Sequence, residues 1–333
     1  MKKFFMFAAM ASVALASCVK NEPVVTPEQG EAIAFDAPVV APATKAGDPI
    51  EYTGNFVAYA WYHNASTVAK YMPGVTVNKA DDYKVADYYW PKNGELTFFA
   101  YSPAAPAVST ALSVSEMTTT EQMALTYTVQ DELAKQDDLL YSSWNGPITK
   151  QEVAIAFHHA LSAIQFTIAP KDAAAASKFK VKSITLNNAK TTNVLTCSPN
   201  STAWATENLS GDGTYAILAD NTSVLAENTP IQAMYKVLPQ TLDGTVTLDI
   251  QYDLLNPGDA SWLPQTESLV LNTVSEEWEM GVKYTYTLTF SVDAIEFAPV
   301  IAEDWTPHRH NPLAFLSTLN FLKNNAAQHH DRA

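Results

Sequence analysis

From residue 51 onward the chain is a succession of short runs rich in β-branched and aromatic residues, cut by Pro, Gly, Asn and Asp. Branched and aromatic side chains suit a pleated, half-buried surface, and the interrupting residues suit turns, so the pattern predicts strand after strand. The runs are Asn55–Tyr62, Val68–Met72, Asp87–Trp90, Glu95–Ser102, Met123–Val129, Leu139–Ser143, Val153–Phe157, Ala163–Ile168, Lys180–Leu186, Thr214–Leu218, Gln232–Leu238, Thr245–Tyr252, Ser268–Leu271 and Lys283–Phe290. Alternation is clean in Thr245–Tyr252 and Tyr284–Phe290, which places apolar residues on one face and Thr, Asp or Gln on the other, as half-buried antiparallel strands require. Helix-like windows are short: Glu132–Asp138 and Lys171–Lys178 predict a turn or two each. No strand–helix–strand rhythm appears. The expectation is an all-β chain of two antiparallel β-sandwiches, in keeping with 333 residues of which 47% are hydrophobic. Strand-like segments run almost without pause around residue 152, and the break is placed there.

The first residues decide the compartment. Lys2 and Lys3 precede an uncharged, mostly apolar run, Phe4 to Ser17, which ends in Leu15-Ala16-Ser17-Cys18. Small residues before a cut mark a signal-peptidase site, and a cysteine directly after them is the bacterial lipoprotein signature. The run is shorter than the roughly 20 apolar residues that span a bilayer. Residues 1–17 are therefore expected to be removed and Cys18 to carry acyl chains, several on one residue giving firm attachment to a membrane. Residues 18–45, with Pro23, Pro27, Pro38 and Pro42, read as a tether holding one short strand-like run, Ala32 to Asp36. Lys45 and Ala46 lie in a small-residue loop before Pro49, where a trypsin-like protease would find access. After Trp305, residues Leu313, Phe315, Leu316, Leu319, Phe321 and Leu322 recur at near-helical spacing and predict a short helix with frayed ends. The expected organisation is signal peptide 1–17, leader 18–45, N-terminal sandwich 46–152, C-terminal sandwich 153–305 and tail 306–333.

Charge and chemistry narrow the function. The net charge is −15, from 20 basic and 35 acidic residues with no Lys/Arg cluster, so nucleic acid and anionic membrane surfaces are poor partners. Of the two cysteines, Cys18 is committed to lipid, and Cys197, in a strand-like context, reads as a small core residue. His158-His159 is the one internal His pair, and neighbours on a strand point to opposite faces, so one buried and one exposed ring is expected. His308, His310, His329 and His330 sit in the tail without regular carboxylate or Cys support, and Asp81-Asp82 and Asp137-Asp138 lack the spacing of calcium loops. No nucleophile elbow, phosphate loop, zinc-protease or dinucleotide motif is present. The expectation is a non-enzyme with no metal site and no cofactor. A glycan-binding surface lipoprotein is the competing expectation, with Trp144, Trp204 and Trp262 as candidate stacking platforms.

Several motifs, in order, resemble one family. The lipobox Leu15–Cys18 precedes a tether with the strand Ile33-Ala34-Phe35, then Thr44-Lys45-Ala46. Tyr89-Trp90-Pro91, Leu96–Pro103, Val153–Ser162, Val237-Leu238-Pro239-Gln240 and Trp278–Tyr286 follow, closing on Ile295 to Trp305. The sequence resembles the fimbrillins, lipoprotein pilins and pilus-associated proteins of Bacteroidales-type bacteria. The resemblance implies two transthyretin-like sandwiches and surface delivery as a lipoprotein. It also implies removal of the leader with its first strand by a trypsin-like protease, and filling of the vacated groove by the C-terminal segment of another subunit. Physically that is β-augmentation, and because groove and donor are different surfaces the contact generates an open filament. Carried onto this chain, Ile33 and Phe35 are the leader's core residues, and Ile295, Phe297, Val300 and Ile301 the donor's. Partners would be other fimbrial subunits, the protease, the outer membrane and a host or bacterial surface ligand. Two departures stand out: Lys45 occupies a cleavage position that is usually Arg, and residues 306–333 extend past the usual end.

Overall fold

The structure, a computed structural model, describes residues 30–41 and 50–305 except 66, 118–120 and 208. The expected signal peptide, Cys18, Lys45, Ala46 and the tail, with its expected helix and four His, lie outside the described residues.

Strands dominate the described residues. The first group is β1 (Ala32–Val40), β2 (Ile50–Glu51), β3 (Phe56–Asn64), β4 (Thr67–Val77), β5 (Lys84–Tyr89), β6 (Glu95–Ser102), β7 (Leu112–Met117), β8 (Gln122–Thr128), β9 (Leu140–Pro147), β10 (Val153–His159) and β11 (Ser162–Pro170). The second is β12 (Phe179–Ser198), β13 (Ser201–Trp204), β14 (Ser210–Leu218), β15 (Thr229–Val237), β16 (Gln240–Thr241), β17 (Thr247–Leu255), β18 (Trp262–Val270), β19 (Glu277–Trp278), β20 (Val282–Phe290), β21 (Ile295–Phe297) and β22 (Ile301–Asp304). An eight-stranded sheet runs β2-β1-β10-β9-β6-β3-β4, with β5 also on β1. A seven-stranded sheet runs β18-β17-β12-β8-β7, with β13 and β14 also on β12. A five-stranded sheet runs β15-β11-β20-β21, with β22 also on β20.

The runs explain these layers. In β3, Phe56 to Tyr62 are all buried, and in β6, Leu96 to Ser102 are too, so the middle of the eight-stranded sheet is covered on both faces. A sheet buried on both sides wants continuous apolar strands rather than alternating ones, and both sequences comply. Phe56, Ala58, Ala60, Phe98 and Ala100 point into one core with β1 and β5. Val57, Tyr59, Trp61, Phe99 and Tyr101 point the other way, into the larger core shared with the remaining sheets. β17 and β20 keep the alternation read from sequence, with Leu248 and Ile250, and Tyr284, Tyr286, Leu288 and Phe290, turned inward.

The sheets divide the chain differently from the residue count. β10 begins at Val153 yet pairs with β1 and β9 in the eight-stranded sheet. β8 belongs to the first half of the chain yet pairs with β12 from Thr128↔Thr192 to Met123↔Cys197. The sequence hid this because β10 runs almost directly into β11, and strand partners are not written in local pattern.

The two helix-like windows form turns, as short as their sequences suggest. Lys171–Lys178 forms turns, with Asp172 Oδ1 accepting from the Ala175 amide at 2.8 Å, and Glu132–Asp138 contributes a single 3-10 turn, Leu133–Lys135. A short side-chain acceptor satisfies such a turn locally, and neither window is long enough to offset helix nucleation. β12 runs unbroken for 20 residues. Asn187-Asn188, which resembles a turn, is a β-bulge with Asn188 at φ 66°, a left-handed value Asn tolerates.

Candidate functional site

β1 is the strand around which a site can be built. Its start pairs antiparallel with β5, Ile33↔Val85 and Ala34↔Lys84. Its remainder pairs parallel with β10, from Phe35↔Val153 to Val40↔Phe157. Val39 and Val40 also meet β2. β1 thus crosses from one wall of the N-terminal core to the other. Backbone bonds flank this crossing. The Phe35 amide donates to the Tyr83 carbonyl at 3.1 Å, the Ala41 amide to Phe157 at 2.8 Å, and the Tyr52 amide to Pro38 at 2.6 Å.

The side chains of β1 finish the core. Ile33 is 0% and Phe35 2% exposed, and Pro38 and Val40 are buried too. The Phe35 ring meets Phe56 and Phe98 edge-on, with centroids 5.3 and 5.6 Å away. Such pairs add about 0.5–1.5 kcal/mol beyond the area they bury. Val85, Trp90, Phe56, Phe98 and Phe157 line the same core. The phenols beside it stay neutral, since burial raises the pKa of both Tyr83 and Tyr52, and the Tyr83 hydroxyl donates to the Tyr52 carbonyl at 2.9 Å. Without β1 the slot would be an uncharged aromatic trench with two lips of strand backbone, and β5 would have no strand partner.

The C-terminal segment is held more loosely. β21 pairs with β20 through Leu288↔Phe297 to Phe290↔Ile295, and β22 pairs with the other end of β20, Val282↔Asp304 to Thr285↔Ile301. Ile295 is buried, Phe297 and Val300 are half-buried, and Ile301 is 59% exposed. Glu296 accepts from Lys171 Nζ at 2.9 Å, and Glu303 from Lys283 Nζ at 2.6 Å. The segment ends on Trp305, stacked on the His159 ring at 4.0 Å and 11°. His159 Nδ1 lies 3.0 Å from Asp138 Oδ1. This latch went unread in the sequence: Asp137-Asp138 looks like a solvated turn, and the stacking of Trp305 on His159 joins residues far apart in the chain.

The other candidates are quickly placed. His159 is buried as expected of one member of the pair, whereas His158 is half-buried against Tyr141, not exposed, and burial followed by the neighbouring His159 lowers its pKa. Cys197 is fully buried, and burial pushes its thiol up to about 12, which leaves it protonated and inert. Among the described residues no group of three His, Cys, Asp or Glu could hold a metal ion, and no helix is long and apolar enough to cross a membrane. The three Trp do not form an open platform. Trp144 packs on Phe98, the Trp204 indole donates to the Ala160 carbonyl at 2.6 Å, and Lys180 Nζ covers the Trp262 ring at 4.1 Å. All three are half-buried.

An all-β chain of packed sheets with a core strand supplied from its N-terminal end is the class this architecture defines. The fimbrillin-like family pattern matches residues 43–305, and the chain belongs to that family. That membership gives it a fimbrial role at the cell surface. Similar solved structures include a candidate cell adhesion protein from Bacteroides uniformis, with 18% identity and a TM-score of 0.47, over 84% of this chain and 100% of that one. A candidate cell adhesion protein from Bacteroides ovatus matches at 13% identity and a TM-score of 0.49 over the same shares. The fimbrial anchor protein Mfa2 from Porphyromonas gingivalis matches at 11% and 0.37, over 80% of this chain and 95% of that one. No curated relative matches.

Proposed function

We propose that this chain is an outer-membrane lipoprotein that becomes a fimbria subunit in cell adhesion when a trypsin-like protease removes its leader. In this reading Cys18 anchors the precursor, and cleavage at Lys45–Ala46 severs β1 from the body. A strand from another subunit then takes β1's place. The observation that carries it is β1 itself. An N-terminal strand with Ile33 and Phe35 fully inside the core is a removable piece of that core, and it is followed within ten residues or so by Lys45. Removing it would expose strand edges and an apolar trench together, which is the physical basis of strand addition. Ile295, Phe297, Val300 and Ile301 supply the donor in this reading, and the N- and C-terminal sandwiches are 46–152 and 153–305 with β10 reaching back across that line.

The test is to treat the purified precursor with trypsin. A new N-terminus at Ala46, together with SDS-resistant ladders, is the expected result. A chain that is cut there and stays monomeric, or that resists cutting, removes the polymerising subunit from consideration.

A further inference from the structure

β18 is a straight, open sheet edge. It ends the seven-stranded sheet and pairs only with β17, from Thr247↔Val270 to Leu255↔Trp262, with no slip along its 9 residues. Among the described residues, the other edge strands of this length or more, β4, β14 and β15, all slip against their neighbours. Bulges of that kind blunt an edge against pairing with another chain, and β18 has none. It also overhangs the core: Leu263 to Ser268 are all exposed, Leu263 by 42%.

Two bonds fix which backbone groups face outward. At one end of the β17–β18 hairpin the Asn256 amide donates to the Ser261 carbonyl at 2.8 Å, and at the other the Leu271 amide donates to the Val246 carbonyl at 3.1 Å. Ladder bonds of an antiparallel pair fall on every second residue, so Leu263, Gln265, Glu267 and Leu269 bond to β17. The backbone groups of Trp262, Pro264, Thr266, Ser268 and Val270 therefore face away from the sheet. Pro264 sits where its missing N–H costs the ladder to β17 nothing.

We propose that this edge pairs with the same edge of a second copy of the chain, antiparallel, about a two-fold axis through Thr266. The contact is separate from the β1 slot and does not depend on removal of the leader.

The strand reads alike in both directions, and that names the partner. About Thr266, Trp262 meets Val270 of the second copy, Leu263 meets Leu269, Pro264 meets Ser268 and Gln265 meets Glu267. Apolar residues face apolar ones, and Gln faces Glu, as favourable cross-strand pairs require. The neighbouring alignments fail. With the axis at Gln265, Leu263 lies opposite Glu267; with the axis at Glu267, the one charge of the strand faces its own image. The Ser268 amide still reaches the Pro264 carbonyl, so the proline subtracts only the bonds it cannot donate. The other edges lack this symmetry: about Ala233, the middle of β15, Pro230 would meet Lys236 and Gln232 would meet Met234. An interface of this kind uses one patch twice and closes at two copies. A single strand pair falls short of the roughly 1,000 Å² that a stable complex buries. The dimer is therefore weak between free molecules and is favoured where copies are held side by side, at high effective concentration.

The test is sedimentation equilibrium of the purified, uncleaved chain carrying Cys18→Ser, over a wide range of concentration. A monomer–dimer equilibrium is expected, with amide hydrogen exchange in residues 262–270 slowing as the concentration rises. The two-fold axis makes each substitution count twice. Gln265→Lys sets Lys against Glu267 and should tighten the dimer about three- to tenfold, Gln265→Glu should weaken it by a similar factor, and Gln265→Glu combined with Glu267→Gln should restore it. Thr266→Pro removes the central outward N–H without taking a bond from β17 and should abolish the dimer, with an unchanged urea midpoint showing that the fold is kept. A chain that is monomeric at every concentration overturns the proposal. A dimer indifferent to Thr266→Pro, or without slowed exchange in 262–270, overturns β18 as its surface. Equal responses to Gln265→Lys and Gln265→Glu overturn the register. Should Thr266→Pro unfold the chain, the Gln265 variants and the exchange measurement decide.

Discussion

β1 and the β21–β22 segment are built from nearly the same residues and are held in opposite ways. β1 has β5 or β10 beside it from Ala32 to Asp36 and again at Val39 and Val40, with Phe35 wedged against two phenylalanines. The C-terminal segment lies on one strand only, β20, and breaks its pairing from Ala298 to Val300. Sequence preference for strand is therefore equal in the two places, and position in the sheet decides how firmly each is kept. The region nearest the N-terminus completes a core, whereas the region nearest Trp305 caps an edge.

The sharpest way to break that comparison is to truncate the matching rings. Phe35→Ala should destabilise the uncleaved chain by about 3–5 kcal/mol in urea unfolding, the cost of a large cavity in a closed core. Phe297→Ala, at a half-buried edge position, should cost about 1–2 kcal/mol. Equal losses would mean that the two strands are held alike. Next in size is Trp305→Ala. It removes the ring stacked on His159 and should cost about 3 kcal/mol, with faster hydrogen exchange in Ile301–Asp304 but not in β1. If β1 loosened equally, the two regions would be coupled rather than independent.

A smaller effect is expected from Glu303→Gln. It unpairs a buried Lys283 at one end of β20 and should cost about 1 kcal/mol, more at low salt than at high. The least is a pH effect. Burial favours neutral His158 and lowers its pKa, so the unfolded chain binds more protons there once the pH falls below the ordinary value of about 6.5. Stability from this group is present above that pH and is lost as the pH falls through the lowered value. His158→Gln should flatten that part of the profile, measured as the urea midpoint against pH, while leaving the Phe35 and Phe297 difference unchanged.

Much of this was legible because strand signals are local. Glu95–Ser102 and Lys283–Phe290 can be read off their own side chains, and β6 and β20 occupy those positions to within a residue. Ile33 and Phe35 could be picked out as core residues because an apolar alternation in a Pro-rich tether has few other uses. What escaped was relational. The start of β5, which is one lip of the slot, lies in Tyr83-Lys84-Val85, too brief to register as a strand alone. β7 is a Ser-rich run, Leu112–Met117, whose pairing with β8 makes it a strand. The stacking of Trp305 on His159 joins residues far apart in the chain, and a bulge at Asn188 imitates a turn.

The order in which the strands are strung has one more consequence. β1 lies beside β10 in parallel, so no hairpin ties it to its longest neighbour, and residues 42–49 alone connect it to the chain that follows. With that link intact, return of a displaced β1 is unimolecular, at the high effective concentration a short tether provides. A single break in residues 42–49 changes the kinetics without altering any contact. The same strand becomes part of a separate molecule whose rebinding depends on how much of it remains nearby. Once the two pieces diffuse apart that amount falls toward zero, so an equilibrium becomes a one-way departure.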